Sequence, residues 1–191
     1  MKVKAYRVRR AGRRGVWQFA GKTKLQIFRP PRRAQDDIAG TFFSKLLGGS
    51  RGLQVMSDAI MEILEHCKTL AVVGLSSKAA RPSHGVAAYM QSHGYRIIPV
   101  NPHEESVLGE KGYASLDEVP EPVDVVVIFR RSEFVPEVVE AAILKQAKVI
   151  WMQEGVIHEQ AAERARVAGL TVIMDRCILK EHAKRFVTDG I

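Results

Sequence analysis

From Met56 onward the chain alternates short runs dense in valine and isoleucine with stretches of helical period, and that alternation restricts the fold more than any other feature. The strand-like runs are Leu70–Val73, Arg96–Val100, Val123–Phe129, Val149–Met152 and Leu170–Met174. None alternates strictly between apolar and polar, as expected of strands buried on both faces. Helical stretches lie between them: His84–His93 is closed by Gly94, Pro136–Lys145 opens with a proline, and His158–Ala168 is closed by Gly169. Upstream, Ser57 or Asp58 is placed to cap a helix carrying Ile60, Ile63 and Leu64 on one face. Only the link from Val100 to Val123 lacks a long helix. There "ASLDEVP" reads as a short turn, with Ser115 capping and Glu118 three residues on. The pattern predicts an α/β fold: a Rossmann-like, doubly wound parallel sheet of about five strands with helices on both faces.

The first 55 residues differ. The formal net charge of +8 is uneven: residues 1–55 hold 14 Lys and Arg against Asp36 and Asp37, whereas residues 56–191 hold 15 cations against 19 acids. The basicity therefore belongs to the N-terminal segment and says nothing about partners of the α/β part. Two domains are expected, a basic extension over 1–55 and the Rossmann-like domain over 56–191. Composition fits a solvated, disordered extension. Met56 also opens what resembles a natural start of an α/β domain, so a start codon placed too far upstream is a second reading. An RNA-binding or targeting arm is a third, with nucleic acid a disfavoured partner. No run approaches the roughly 18 to 20 apolar residues that span a bilayer, so no membrane partner is expected. Two cysteines, Cys67 and Cys177, are too few for a disulfide framework and suit a reducing cytoplasm.

In a doubly wound sheet, ligands bind beyond the carboxyl ends of the strands. The residues just past each strand are therefore the candidates: Gly74–Ser83, Asn101–His103, Phe129–Ser132, Gln153–Gly155 and Asp175–Cys177. In the first loop, "GLSSKA" matches the dinucleotide fingerprint G-x-G-x-x-G/A except that Ser76 replaces the middle glycine, whose missing Cβ lets backbone approach a pyrophosphate. The helix also begins late, near His84, and the second strand ends in Asn101-Pro102 rather than an acidic ribose ligand. NAD is thus disfavoured. The loop still suits an anion: Ser76 and Ser77 offer hydroxyls, Lys78 and Arg81 offer charge, and Ser83 is placed to cap the helix. A plain connection with solvent-facing cations stays open beside that reading.

No catalytic constellation emerges. Cys177 as a nucleophile would need His182, five residues on, which falls on a different helical face. Ser83 and His84 are adjacent and face apart. Glu154 is a lone glutamate for which solvated or capping roles compete with a general-base role. Trp151 and Met152 read as core, and no His/Cys spacing reads as a metal site.

The blocks "VVGLSSKAARPSHGVAAYMQSHGYRIIPVNP", "VDVVVIFRRSEFVPEVVEAAI", "WMQEGVIHEQAAERARVAGLTVIMDRC" and "EHAKR" together resemble the small stand-alone coenzyme A-binding proteins, similar in fold to the N-terminal domain of the succinyl-CoA synthetase alpha subunit. The resemblance covers about residues 57–187. It implies a pyrophosphate site from Gly74, Ser76, Arg81, Ser83 and His84, with Val100, Asn101 and Pro102 near the adenosine. Phe129, Arg130 and Val135 would flank the adenine or phosphates. Met152, Gln153 and Glu154 would touch the coenzyme, and Cys177 would approach its thiol end. The synthetase's second domain, with its phosphorylated histidine, has no counterpart, so ligase activity is not implied. Coenzyme A also suits the loop chemically, because a pyrophosphate and a 3′-phosphate give Lys78, Arg81, Arg130 and Arg131 anions to meet.

The expectation is a cytoplasmic protein that binds coenzyme A or acyl-CoA without chemistry of its own, its partner a small nucleotide-type ligand. Two alternatives are a small NAD(P)-dependent or acyl-transferring enzyme using Cys177 or Glu154, and RNA binding through the basic arm.

Overall fold

The computed structural model describes residues 49–188. The expectations for the basic segment fall almost wholly outside the described residues. Helix α1 (Gly49–His66) starts upstream of Met56 and runs through Ser57 and Asp58, so neither residue caps it as expected. A capping side chain acts only where the backbone leaves helical geometry, and here it does not. The expected apolar face is present: Ile60 and Leu64 are buried and Ile63 packs against them.

Five parallel strands form the sheet: β1 (Thr69–Val73), β2 (Arg96–Val100), β5 (Val125–Ile128), β6 (Val149–Met152) and β7 (Thr171–Ile173). A small antiparallel pair, β3 (Ser106–Val107) and β4 (Glu110–Lys111), lies between β2 and β5 in sequence. The main sheet runs β2-β1-β5-β6-β7. β2 and β6 match their sequence-derived limits, while β5 and β7 are trimmed at both ends. Helices α2 (Pro82–Ser92), α3 (Val135–Leu144), α4 (Glu159–Val167) and α5 (Ile178–Thr188) complete the element order.

Two-sided burial explains the unbroken apolar strands. In β1, Leu70 and Val72 face one core while Ala71 and Val73 face the other; in β5, Val125 and Val127 oppose Val126 and Ile128. One core carries Ile60 and Leu64 of α1, Met90 of α2 and Ile178 of α5. The other carries Val135 and Val139 of α3 and Ala162 and Ala165 of α4. Helices on both faces thus make a three-layer, doubly wound α/β domain. Pro99 is tolerated in β2 because that strand lies at the sheet edge. The segment around Tyr113 covers the edge, accepting from the Asn101 N–H and donating to the Pro99 carbonyl at 2.8 and 3.0 Å.

The "ASLDEVP" turn is a single 3₁₀ turn, Leu116–Glu118. Ser115 precedes it without a side-chain capping bond, and Glu118 instead accepts from the Ala114 N–H at 3.2 Å. Asp124 ties three strands at their amino ends. One carboxylate oxygen accepts from the Lys68 and Thr69 N–H groups at 3.0 and 3.1 Å, and the other lies 2.7 Å from the Lys148 ammonium.

Candidate functional site

The chain leaves β1 toward β2 on one side and later enters β5 on the other. The strand order therefore reverses between β1 and β5, where an open α/β sheet forms its ligand crevice. Gly74 is the first residue past β1, at φ +88°. A Cβ there would stand 3.2 Å from both the Phe129 carbonyl oxygen and Arg130 Cγ at the end of β5. Glycine is required for the backbone conformation and for that close approach.

The loop from Gly74 to Pro82 is braced from two sides. The Ser76 N–H donates to Ser83 Oγ at 3.3 Å, and Asn101 Nδ2 donates to the Leu75 carbonyl at 2.8 Å. α2 starts at Pro82, with Arg81 in extended geometry just before it and making no side-chain cap. The expected cap at Ser83 is therefore corrected. Ser83 is a buried residue of the first turn, and its hydroxyl holds the loop instead. Proline's fixed φ suits the first helical position and sets the start two residues earlier, at Pro82 rather than His84.

Two cavities open on this crevice and share Gly74 and Asn101. One, of about 570 Å³, is lined by Gly74, Ser76, Arg81, Ser83, Asn101, Phe129, Gln153, Glu154 and Cys177, with Pro82, Val86 and Val156. The other, of about 590 Å³, brings Gly74, Val100, Asn101, Pro102 and Arg130 together with residues of the 3₁₀ turn and α3. Of the residues named from sequence, Ser77, Lys78, His84, Arg131, Val135 and Met152 line neither. Val135 and Met152 are wholly buried in the core between α3 and the sheet.

In the first cavity, Gln153 is 4 % exposed and its Nε2 has no hydrogen-bond partner. A buried donor without an acceptor is costly, and at a cavity wall it points to a ligand acceptor. Glu154 is exposed, and both its oxygens accept from Lys180 Nζ at 2.8 Å, which raises the lysine pKa. Cys177 is half-buried at the cavity wall. His182, considered as its base, directs Nδ1 to the Tyr89 hydroxyl at 3.2 Å. Cys67 is buried behind α1, and burial foremost pushes its thiol pKa up.

In the second cavity, the Arg130 guanidinium lies 4.3 Å from the Phe134 ring centre and 3.5 Å from Glu137. Asp117, Glu137 and Glu140 also line that cavity, an acidic share the sequence reading did not foresee. Glu137 and Glu140 were legible only as helix residues; their three-residue spacing puts both on one face. Glu104 was also missed. Its Oε1 accepts from the Ser77 N–H at 2.9 Å and the Ser76 hydroxyl at 3.2 Å. Among the described residues, no group of three or more His, Cys, Asp or Glu side chains is placed to hold a metal ion.

A doubly wound sheet with a two-lobed crevice at its switch point defines the class: a Rossmann-like ligand-binding domain. Residues 68–183 match the CoA binding domain family, and the chain belongs to it. It is 48 % identical over 124 residues to the uncharacterized protein YneT of Bacillus subtilis, covering 65 % of this chain and 92 % of that one. The fold superposes with a TM-score of 0.66 on a hypothetical protein from Pyrococcus horikoshii OT3, at 40 % identity over 67 % of this chain and 90 % of that one. A third relative is the ADP-forming acetate–CoA ligase I subunit alpha of Pyrococcus furiosus, 31 % identical over 129 residues. The match takes in 59 % of this chain but only 28 % of that subunit.

Proposed function

We propose that this protein holds coenzyme A or an acyl-CoA in the crevice at Gly74, and that it performs no chemistry on the ligand. The observation that carries the reading is the pair of cavities meeting at Gly74 and Asn101. A two-lobed crevice suits a ligand with a nucleotide head and a long polar arm joined by a pyrophosphate. The amide of Gln153 fits such an arm, because its unpartnered Nε2 needs a carbonyl-type acceptor. Ser76, Arg81 and Ser83 lie on the same cavity wall, where the loop and the start of α2 favour an anion.

The non-catalytic half of the reading rests on the partners of the reactive groups. Glu154 is held by Lys180, and His182 Nδ1 meets Tyr89 rather than Cys177. A reducing, cytoplasmic setting accords with two cysteines that remain free thiols. Among the described residues no helix is long and apolar enough to cross a membrane.

Calorimetric titration of the full chain with coenzyme A, NAD and NADP tests the ligand, with coenzyme A expected to bind most tightly. Tighter binding of NAD would overturn the assignment. Incubation with acetyl-CoA, followed by chromatography, tests the second half. Turnover to free coenzyme A that is lost in Cys177→Ser or Glu154→Gln would make the protein an enzyme.

A further inference from the structure

We propose that Glu104 is a resident anion on the donors of the loop between β1 and α2, one that an incoming phosphate must displace. This rests on the crevice being a coenzyme A site. Two consecutive loop residues converge on a single oxygen of Glu104: the Ser77 N–H at 2.9 Å and the Ser76 hydroxyl at 3.2 Å. A backbone N–H and a hydroxyl meeting on one anionic oxygen are the donor set that phosphate oxygens take in loops of this kind. Ser76 also lines the cavity beside Arg81 and Ser83, so one of the two occupied donors borders the space assigned to the pyrophosphate, and the Ser77 N–H follows it in the chain.

Glu104 is held there by its own backbone. Its N–H donates to the Asn101 carbonyl at 3.2 Å, and Gly112 donates to the Glu105 carbonyl at 2.8 Å. At Gly112 a Cβ would stand 2.2 Å from the Glu104 carbonyl oxygen, so the two segments pack backbone to backbone. The chain at Glu104 has no room to retreat on that side. Release of the donors therefore comes from rotation of the glutamate side chain, not from withdrawal of the loop. The carboxyl is held below the usual carboxylate range, first by the Ser77 N–H, so it stays an anion near neutral pH.

A resident carboxylate sets a threshold. A ligand with a single weak anion gains little by exchanging one oxygen for another. A pyrophosphate brings more oxygens and more charge, and it can take the same donors while also meeting Arg81. Glu104 thus selects for ligands with adjoining phosphates and weakens all of them by the cost of its displacement.

The test titrates the full chain, Glu104→Gln and Glu104→Ala with coenzyme A and, separately, with inorganic pyrophosphate. Thermal unfolding first confirms that each variant is folded. Removing a charge-assisted bond from the competing side should tighten pyrophosphate and coenzyme A by about tenfold in both variants. Coenzyme A binding that is unchanged or weaker in both variants would overturn the role of Glu104 and leave the coenzyme A assignment standing. Tighter pyrophosphate binding by the variants, with no coenzyme A binding by any of the three proteins, would support Glu104 as a resident anion and refute the coenzyme A assignment.

Discussion

The Ser76 N–H donates to the Ser83 hydroxyl at 3.3 Å, so the residue that breaks the glycine fingerprint is tied to the first turn of the helix that follows. Ser83 is buried, and its oxygen is the acceptor that fixes the loop's path. Replacing Ser83 with alanine leaves the Ser76 N–H without that partner. A lost bond to a part-buried donor costs about 1–3 kcal/mol. The expected result for Ser83→Ala is a lower denaturant midpoint at unchanged slope, with coenzyme A binding weakened as well. Stability and affinity both equal to the parent's would show that the bond does not organise the loop.

Gly74 gives a sharper outcome, because two effects act in the same direction. Its φ of +88° is one that side chains rarely adopt. A Cβ would also press on the Phe129 carbonyl and Arg130 Cγ at 3.2 Å. Backbone strain of this kind costs about 1–3 kcal/mol. Gly74→Ala should therefore be clearly destabilised in urea. It should also lose coenzyme A affinity under conditions where it is folded, since both cavities share this residue. Unaltered affinity in a folded Gly74→Ala variant would move the ligand away from the switch point.

Much of this architecture was legible in the sequence for a specific reason. Strands buried on both faces are written as Val and Ile runs, and β2 and β6 were located to the residue. What escaped were features that depend on a single backbone angle or on a distant loop. Ser83 reads as a cap until Pro82 is given the first helical position, which shifts the boundary to Arg81. Glu104 lies 27 residues from Ser77, and their contact exists only because the chain after β2 folds back beside the first loop. Val135 and Met152 follow or end strands as site residues do, yet their side chains turn into the core. Position past a strand marks a neighbourhood, whereas the direction of each side chain needs the fold.

Asp124 makes a prediction about acid stability. Burial alone would raise its pKa, but the Lys148 ammonium and the N–H groups of Thr69 and Lys68 outweigh it, so the carboxyl is held below its ordinary value. A carboxyl depressed by folding adds stability that is present above its unfolded pKa of about 3.9 and disappears as pH falls through the folded value. The Asp124→Asn variant should be less stable than the parent near neutral pH, by about 1–3 kcal/mol. Its stability should also fall less steeply than the parent's below about pH 4. Denaturant titrations at pH 7, 4 and 3 check both points. Parallel losses of stability in parent and variant on acidification would assign the acid sensitivity to other groups.

The two cysteines differ in a way that thiol chemistry can read. Cys177 lines the cavity that also holds Gln153, whereas Cys67 is buried with its pKa raised, chiefly by burial. A thiol must reach the disulfide and ionise to attack it, and burial disfavours both at Cys67. If the arm of coenzyme A ends in that cavity, coenzyme A disulfide should react there by exchange. The Cys177 thiolate attacks one sulfur and forms a new disulfide. The other coenzyme A leaves as a thiolate and takes up the proton that Cys177 gave. Intact-mass measurement should show one added coenzyme A moiety, and peptide mapping should place it on Cys177. The Cys177→Ser variant should lose the adduct while retaining its affinity for reduced coenzyme A. Glutathione disulfide, which has no nucleotide head, should react at least tenfold more slowly if binding delivers the sulfur, because a tenfold rate difference needs only about 1.4 kcal/mol. Equal rates for the two disulfides, or an adduct confined to Cys67, would place the thiol end of the ligand elsewhere.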